Sequence, residues 1–236
     1  MLYFCDIAYW KKFPIFCISQ LLSVYLQLKT LDIFYMASTL ITLSEQDKVL
    51  QLEQFLTNFK EAGLDGNYDM EVLQKQILAS PCAVNEDMGT AYKGALIVHI
   101  NMAYALAKSI AQKISGTFSI NSKSLLKVCY IMHLSKRYTY IENDNEWEVK
   151  NRGLVFKFNN NIDGTLKGGQ KSALEALNNG VKLTPEEFES ILILDSDDDS
   201  KNCIHRPIMA TIVRQANELA YAIERERYRK IKASTK

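Results

Sequence analysis

The segment of residues 125–136, LLKVCYIMHLSK, constrains the fold most, because apolar side chains occupy more than one face of it. A helix that faces solvent keeps a polar side, so this pattern predicts a helix buried in the core. His133 lies near the end of the apolar run, and a buried imidazole needs a hydrogen-bond partner or a metal ion. His99 ends a second apolar stretch, GALIVH. We therefore expect both imidazoles to lie in the core, where each needs a partner.

Length and composition indicate a helical globular protein. The 236 residues can bury a full core, and 47% hydrophobic and 23% charged residues are ordinary values for such a protein. The small number of prolines and glycines favours helices over a turn-rich sandwich. A net charge of +1 gives no strong nucleic-acid signal. Five scattered cysteines without a C-x-x-C pair favour a reducing compartment, so we expect a cytoplasmic protein.

Residues 1–35 differ from the rest of the chain. Lys11 and Lys12 precede an apolar stretch, residues 13–28, which is interrupted by serine and glutamine. At about 1.5 Å per residue this stretch falls short of a bilayer core of about 30 Å. Three interpretations stay open: an upstream extension with the natural start at Met36, an amphipathic or anchoring helix, and a signal peptide. A membrane partner is expected only if residues 1–35 act as an anchor, and residues 36–236 are expected to form a single helical domain.

Helix start and stop signals predict an all-α bundle with a short β-prone excursion. Ser44 with Asp47 resembles a capping box, and Thr184 followed by Pro185 is a strong helix start. Residues 137–158 are rich in aromatic and β-branched side chains and predict a short hairpin. The predicted helices begin at Ser44 and Pro185 and also cover residues 68–79, 92–114, 125–136, 171–178 and 207–232.

Three segments together resemble the HD-domain superfamily of metal-dependent phosphohydrolases, in a form found in phages and bacteria. Residues 91–99 are similar to the segment with the first histidine ligand, at His99. Residues 125–136 are similar to the segment with a His-Asp pair and a following lysine. Residues 212–220 are similar to the late helix that carries the last aspartate. The resemblance covers about residues 80–230 and implies an HD-domain-like helical bundle.

The departures from the family pattern concern its metal ligands. In the family, two histidines and two aspartates hold a divalent metal that activates water against a phosphate ester. Here His99 and His133 match, whereas Leu134 and Asn217 stand where the aspartates should be. A hard cation needs anionic oxygen ligands, and without the metal no hydroxide nucleophile forms at neutral pH. We therefore expect a vestigial pocket with no catalytic residue and no cofactor, in which Asn217 hydrogen-bonds one of the imidazoles.

The leading hypothesis is a catalytically inactive HD-domain protein that acts as a binding or structural module for an unidentified protein partner or a nucleotide. One alternative is a phosphohydrolase for nucleotides or phosphoesters, with a divalent metal held by His99 and His133. It would need replacement carboxylates from Glu142, Asp144 or Asp163. Another alternative is a metal-free anion or nucleotide site, because cations alone can hold a phosphate. Its cations would be Lys136, Arg137 and Lys171.

Other local patterns favour ordinary surface structure. Some members of the family that the chain resembles carry two more histidines. Gly168 and Leu194 stand at the corresponding positions, so neither histidine is present here. The acidic run after Asp195 lacks the glycine and the final glutamate of a calcium loop, so we expect an exposed loop. Cys203 and His205 have no second pair to complete a zinc site. Residues 167–172 resemble a phosphate loop without its full spacing, and the charged segment from residue 224 onward predicts a solvated helix end.

Overall fold

The computed structural model describes residues 43–162, 164–195 and 206–234. Its helices and short strands follow one another in the order that the sequence signals predict. The all-α class with one short β excursion is confirmed. In chain order the elements are α1 Glu45–Glu61, α2 Met70–Ala79, α3 Ala95–Ile114, α4 Ser122–Ile131, α5 Lys136–Thr139, β1 Tyr140–Glu142, α6 Glu146–Arg152, β2 Phe156–Phe158, α7 Gly168–Asn178, α8 Pro185–Leu192 and α9 Ile208–Ser234.

Capping side chains set the starts of several helices. Ser44 accepts a 3.1 Å hydrogen bond from the backbone N–H of Asp47 and begins α1, as predicted. Thr184 begins α8 with a reciprocal capping box to Glu187, which also confirms the prediction. The helix predicted from residue 68 begins two residues later, because the Asp69 carboxylate accepts from two backbone N–H groups and fixes the start of α2 there.

The β excursion is a two-stranded antiparallel sheet. Tyr140 of β1 pairs with Phe158 of β2, and Glu142 pairs with Phe156. The helix α6 occupies the connection between the two strands. This confirms the predicted hairpin, although the connection is a helical segment and not a tight turn.

The sequence pattern predicts one continuous helix over residues 125–136, and this prediction is wrong. The helix α4 ends at Ile131, and a turn carries the chain to α5. Ser135 holds this turn, because its N–H donates to Ser172 Oγ over 3.0 Å and its hydroxyl donates to the Gly168 carbonyl over 2.8 Å. A serine that bonds to groups outside the helix competes with the hydrogen bonds of the helix backbone. The helix α4 therefore ends before His133.

The core lies around α3, which packs against α1, α4 and α9. Ala103 and Ala107 of α3 are fully buried, and so are Ala216 and Ala220 of α9. Small side chains on both helices let their backbones approach closely. The described residues belong to one compact unit, Thr39–Lys236.

Some predicted features cannot be placed. The extension of residues 1–35, Asp163 and the acidic loop of residues 196–205, with Cys203 and His205, lie outside the described residues. None of the described helices combines the length and the hydropathy needed to cross a bilayer.

Candidate functional site

His99 and His133 come from different elements and meet in the core. His99 lies in the second turn of α3, and His133 lies in the turn after α4. Both side chains are buried, and their ring centroids lie 4.9 Å apart in an edge-to-face arrangement. Two imidazoles at this distance repel each other when both are charged. The protonation of one ring therefore depends on that of the other.

Asn217 on α9 lies between the two rings. Its side-chain oxygen, Oδ1, accepts a hydrogen bond from Nε2 of His99 and another from Nε2 of His133, each over 2.9 Å. The helix α9 reaches this position because Ala216 and Ala220, which flank Asn217, are small and fully buried. One amide oxygen thereby engages both of the imidazole nitrogens that face the pocket.

Two further side chains of α9 surround His99. Tyr221 and Glu224 follow Asn217 by four and seven positions, a spacing that puts all three on one helix face. The Glu224 carboxylate accepts a 2.8 Å hydrogen bond from Nδ1 of His99 and is 4% exposed. The Tyr221 ring packs on the His99 ring, with centroids 4.1 Å apart. The expectation of a solvated helix end is therefore wrong for Glu224, which is buried.

These hydrogen bonds and the neighbouring charges favour a charged His99 and a neutral His133. His99 donates from both nitrogens, so it is an imidazolium paired with the Glu224 carboxylate. Burial of the ring opposes this charge, but Cys82 and Glu224 outweigh that effect and raise the pKa of His99 to about 9. His133 stays neutral, because burial and the charges of Lys136 and His99 lower its pKa well below 6.5. Its Nδ1 atom has no hydrogen-bond partner among the described residues.

A second polar group adjoins the imidazoles through Tyr221. The Lys136 ammonium donates to the Tyr221 hydroxyl and, over 3.1 Å, to the carbonyl oxygen of Cys82. Its Nζ lies 3.5 Å from the Cys82 sulfur, and the Tyr221 hydroxyl lies 3.2 Å from the same sulfur. Burial alone would lower the pKa of Lys136, but its contacts with Cys82 and Tyr221 raise that pKa above its usual value. The ammonium is therefore held by groups of the protein itself.

Arg137 and Lys171, the other two cations of the predicted anion site, lie on separate helices. Arg137 of α5 forms a two-point ion pair with Glu175 of α7 and donates to the side chain of Gln76. Lys171 is half-buried on α7, one turn before Glu175. Of the three predicted cations, Lys136 and Arg137 thus have different internal partners.

Three positions that the resemblance marks for a carboxylate or a histidine carry side chains that cannot ligate a metal. Leu134 is fully buried next to His133 in sequence. Gly168 begins α7 and accepts from Ser135 through its carbonyl oxygen. Leu194 lies in a 3₁₀ turn, Ile193–Asp195.

The start of α7, which resembles a phosphate loop in sequence, is occupied by a carboxylate of the chain. Asp195 accepts from the N–H of Gly169 over 3.0 Å and from the N–H of Gln170 over 2.7 Å. Lys167 donates to the carbonyl oxygen of Asp195 over 2.7 Å. The donors that a phosphate would use at a helix start are therefore engaged internally.

The residues that line the pocket determine whether it can bind a metal ion. No family model, no curated protein and no solved structure matches this chain. In the part of the chain that the structure describes, no three His, Cys, Asp or Glu side chains are grouped so that they could hold a metal ion. Glu142, an expected replacement carboxylate, pairs with Lys93 at the surface. Asp144 likewise pairs with Lys157.

The sequence analysis does not identify three residues of the site, namely Cys82, Tyr221 and Glu224. The signal for two of them is the helical spacing, since Tyr221 and Glu224 continue the face that begins with Asn217. The alternation of glutamate and arginine after residue 223 hides that face. No local pattern marks Cys82, which reaches the pocket only through the packing of the loop after α2.

Proposed function

We propose that this chain is a catalytically inactive HD-domain-like protein that acts as a binding or structural module. The observation that carries the proposal is the double hydrogen bond to Asn217, because it engages both imidazole nitrogens that would otherwise face a metal. His99, His133 and Asn217 come from three elements, in the chain order in which the family places its ligands. That arrangement supports the family assignment, while the neutral side chains of Leu134 and Asn217 argue against a bound hard cation.

The charge on His99 adds an energetic argument. A proton with a pKa of about 9 has to leave this ring before its Nε2 atom can coordinate a metal. Displacement of that proton at pH 7 weakens the apparent metal affinity about 100-fold. The pocket is therefore stabilised in its metal-free form.

The proposed role is binding, with a protein or a nucleotide as partner. A cytoplasmic location belongs to the proposal, because Cys82 and Cys129 are free thiols, which a reducing compartment maintains. A phage or bacterial origin follows only from the resemblance.

A phosphohydrolase with a rebuilt metal site is the second candidate, and two observations favour it. The Glu224 carboxylate bonds the outer nitrogen of His99, which is how proteins orient a metal-binding histidine. Cis ligands of an octahedral ion at about 2.1 Å lie about 3 Å apart, close to the 2.9 Å that separates Asn217 Oδ1 from each Nε2 atom. An ion here would need His99 to lose its charge.

Metal content and turnover separate the two candidates. The full chain is expressed with Mn²⁺, Fe²⁺, Ni²⁺ or Mg²⁺ in the medium, and the bound metal is measured by mass spectrometry. We expect less than about 0.1 equivalent of metal at pH 7, from the proton competition described above. Phosphoesters and nucleotides are then assayed for hydrolysis. Turnover that is abolished by both His99→Ala and His133→Ala would overturn the proposal.

Binding of a nucleotide is tested separately by thermal shift. A ligand that binds only the folded state raises the melting temperature, by an amount that grows with its concentration. A nucleotide that raises it in the parent and not in Lys136→Gln identifies the partner as a nucleotide. The absence of any shift over a panel of nucleotides favours a protein partner.

A further inference from the structure

Cys82, which is buried, and Lys136, which is half-buried, form a pair that neither candidate function explains. Their Sγ and Nζ atoms lie 3.5 Å apart, although the two residues are separated by 54 positions in the chain. Cys82 follows α2, and Lys136 begins α5. The carbonyl oxygen of Cys82 also accepts from Lys136 over 3.1 Å, so the amine is held against this residue by two contacts.

Tyr221 lies against both atoms of the pair. Its hydroxyl accepts a hydrogen bond from Lys136 and lies 3.2 Å from the Cys82 sulfur. The thiol is 1% exposed, whereas Lys136 is only half-buried. A small oxidant can thus approach along the lysine, while a second protein thiol cannot reach the sulfur to form a disulfide.

We propose that Cys82 and Lys136 are a redox modification site, at which peroxide joins Sγ and Nζ through one bridging oxygen atom. The reaction consumes the ammonium, the thiol and two molecules of hydrogen peroxide, and it yields the N–O–S bridge, three waters and one proton. An N–O and an O–S bond form, while N–H and S–H bonds and the two peroxide O–O bonds break. The nitrogen and the sulfur together lose four electrons, which reduce the two peroxides to water.

The geometry favours this product over the usual oxidation ladder of cysteine. A sulfenic acid formed on Cys82 is in contact with an amine that cannot move away, because Tyr221 and the Cys82 carbonyl hold it. The Tyr221 hydroxyl lies next to both reacting atoms and can relay the proton that the nitrogen releases, because it accepts from Lys136 while it passes its own proton to the oxygen on the Cys82 sulfur. The sulfinic acid and the bridge both consume a second peroxide, so the contact of the amine with the oxidised sulfur is what favours the bridge.

Mass spectrometry of the full chain tests the proposal. Cys5, Cys17 and Cys203 are replaced by serine, so that Cys82 and Cys129 are the remaining thiols. Exposure to hydrogen peroxide is expected to add about 14 Da, the mass of one oxygen less two hydrogens, and a dithiol reductant is expected to remove it. Peptide mapping is expected to link the peptide that contains Cys82 to the one that contains Lys136.

Three variants sharpen the test. Cys129→Ser is the matched control, because Cys129 is also a buried free thiol, and it is expected to retain the added mass. Cys82→Ser and Lys136→Gln are expected to abolish the addition. Because the bridge closes a long loop, it is also expected to raise the melting temperature of the parent by roughly 5 °C.

Several outcomes would overturn the proposal. Additions of about 16, 32 or 48 Da on Cys82 indicate ordinary sulfur oxidation, and a loss of about 2 Da indicates a direct N–S bond or a disulfide. The proposal is also overturned if the protein stays unmodified after peroxide treatment, or if Lys136→Gln still gains the added mass. If Lys136→Gln does not fold, the peptide map of the parent alone decides.

Discussion

Glu224 is the carboxylate that pairs with the imidazole cluster. It is buried, it accepts from Nδ1 of His99, and it is the only carboxylate of the described residues with a side-chain hydrogen bond to either ring. A carboxylate in this position stabilises an imidazolium, and the imidazolium adds to burial and Lys136 in lowering the pKa of His133. Glu224 thus acts together with Cys82 on His99, while burial and Lys136 act together with the His99 charge on His133.

Replacement of Glu224 by glutamine is expected to destabilise the fold by about 2 kcal/mol at pH 6, because His99 loses its counter-charge. The loss is expected to shrink as the pH approaches 9, where the parent also gives up the His99 proton. Chemical denaturation at several pH values measures both quantities. Glu226→Gln is the control, since this exposed carboxylate lies 4.0 Å from Lys230 and should change the stability little. Equal losses for the two variants would contradict the role of Glu224.

Asn217 is the residue whose replacement should create a cation site. Asn217→Asp puts a negative oxygen between the two rings, and Leu134→Asp adds the second carboxylate of the family pattern. The double variant is expected to bind Mn²⁺ or Ni²⁺ in about one equivalent, whereas the parent is not, because hard cations need anionic oxygens. Calorimetric titration measures this. The matched control adds His133→Ala to the double variant and should lose the binding.

At the scale of elements, the sequence predicts helix starts well and the polar interior poorly. Ser44 and Thr184 act on their own helices, so their capping is encoded locally. The break after Ile131 depends on Ser135 bonding across to α7, which no local pattern reveals. The burial of Glu224 likewise depends on which face of α9 meets α3. Local chemistry is thus predictable from the sequence, whereas partners distant in the chain are not.

The start of α7 provides a test of element packing with two adjacent glycines. A Cβ atom on Gly169 would lie 2.6 Å from the Ile191 carbonyl oxygen and 2.7 Å from the Asp195 carboxylate. Gly169→Ala is therefore expected to cost about 2 kcal/mol, because α7 has to move away from α8. A Cβ atom on Gly168 meets only Ser135 Oγ, at 3.9 Å, so Gly168→Ala should be nearly neutral. Thermal unfolding compares the two, and a similar cost at both positions would contradict the close approach.

At the scale of the whole molecule, the polar cluster connects the helices that form the core. Asn217, Tyr221 and Glu224 of α9 bond or stack with His99 of α3, and Asn217 also reaches His133 after α4. Buried polar groups are stabilising where they are paired, and in this cluster His133 Nδ1 is without a hydrogen-bond partner among the described residues. The protonation of the cluster therefore contributes directly to global stability.

The stability of the chain is consequently expected to depend on pH with opposite signs for the two histidines. His99 has a raised pKa, so its contribution is complete below pH 6.5 and is lost as the pH rises through about 9. His133 has a lowered pKa, so its contribution is complete above pH 6.5 and is lost as the pH falls. Together they predict a maximum of the unfolding free energy near pH 6.5, with a decline of about 1.4 kcal/mol per pH unit on the alkaline side. Urea denaturation from pH 5 to 9 measures this profile. His99→Gln is expected to flatten the alkaline side and His133→Gln the acidic side, and an alkaline slope that persists in His99→Gln would assign that proton to another group.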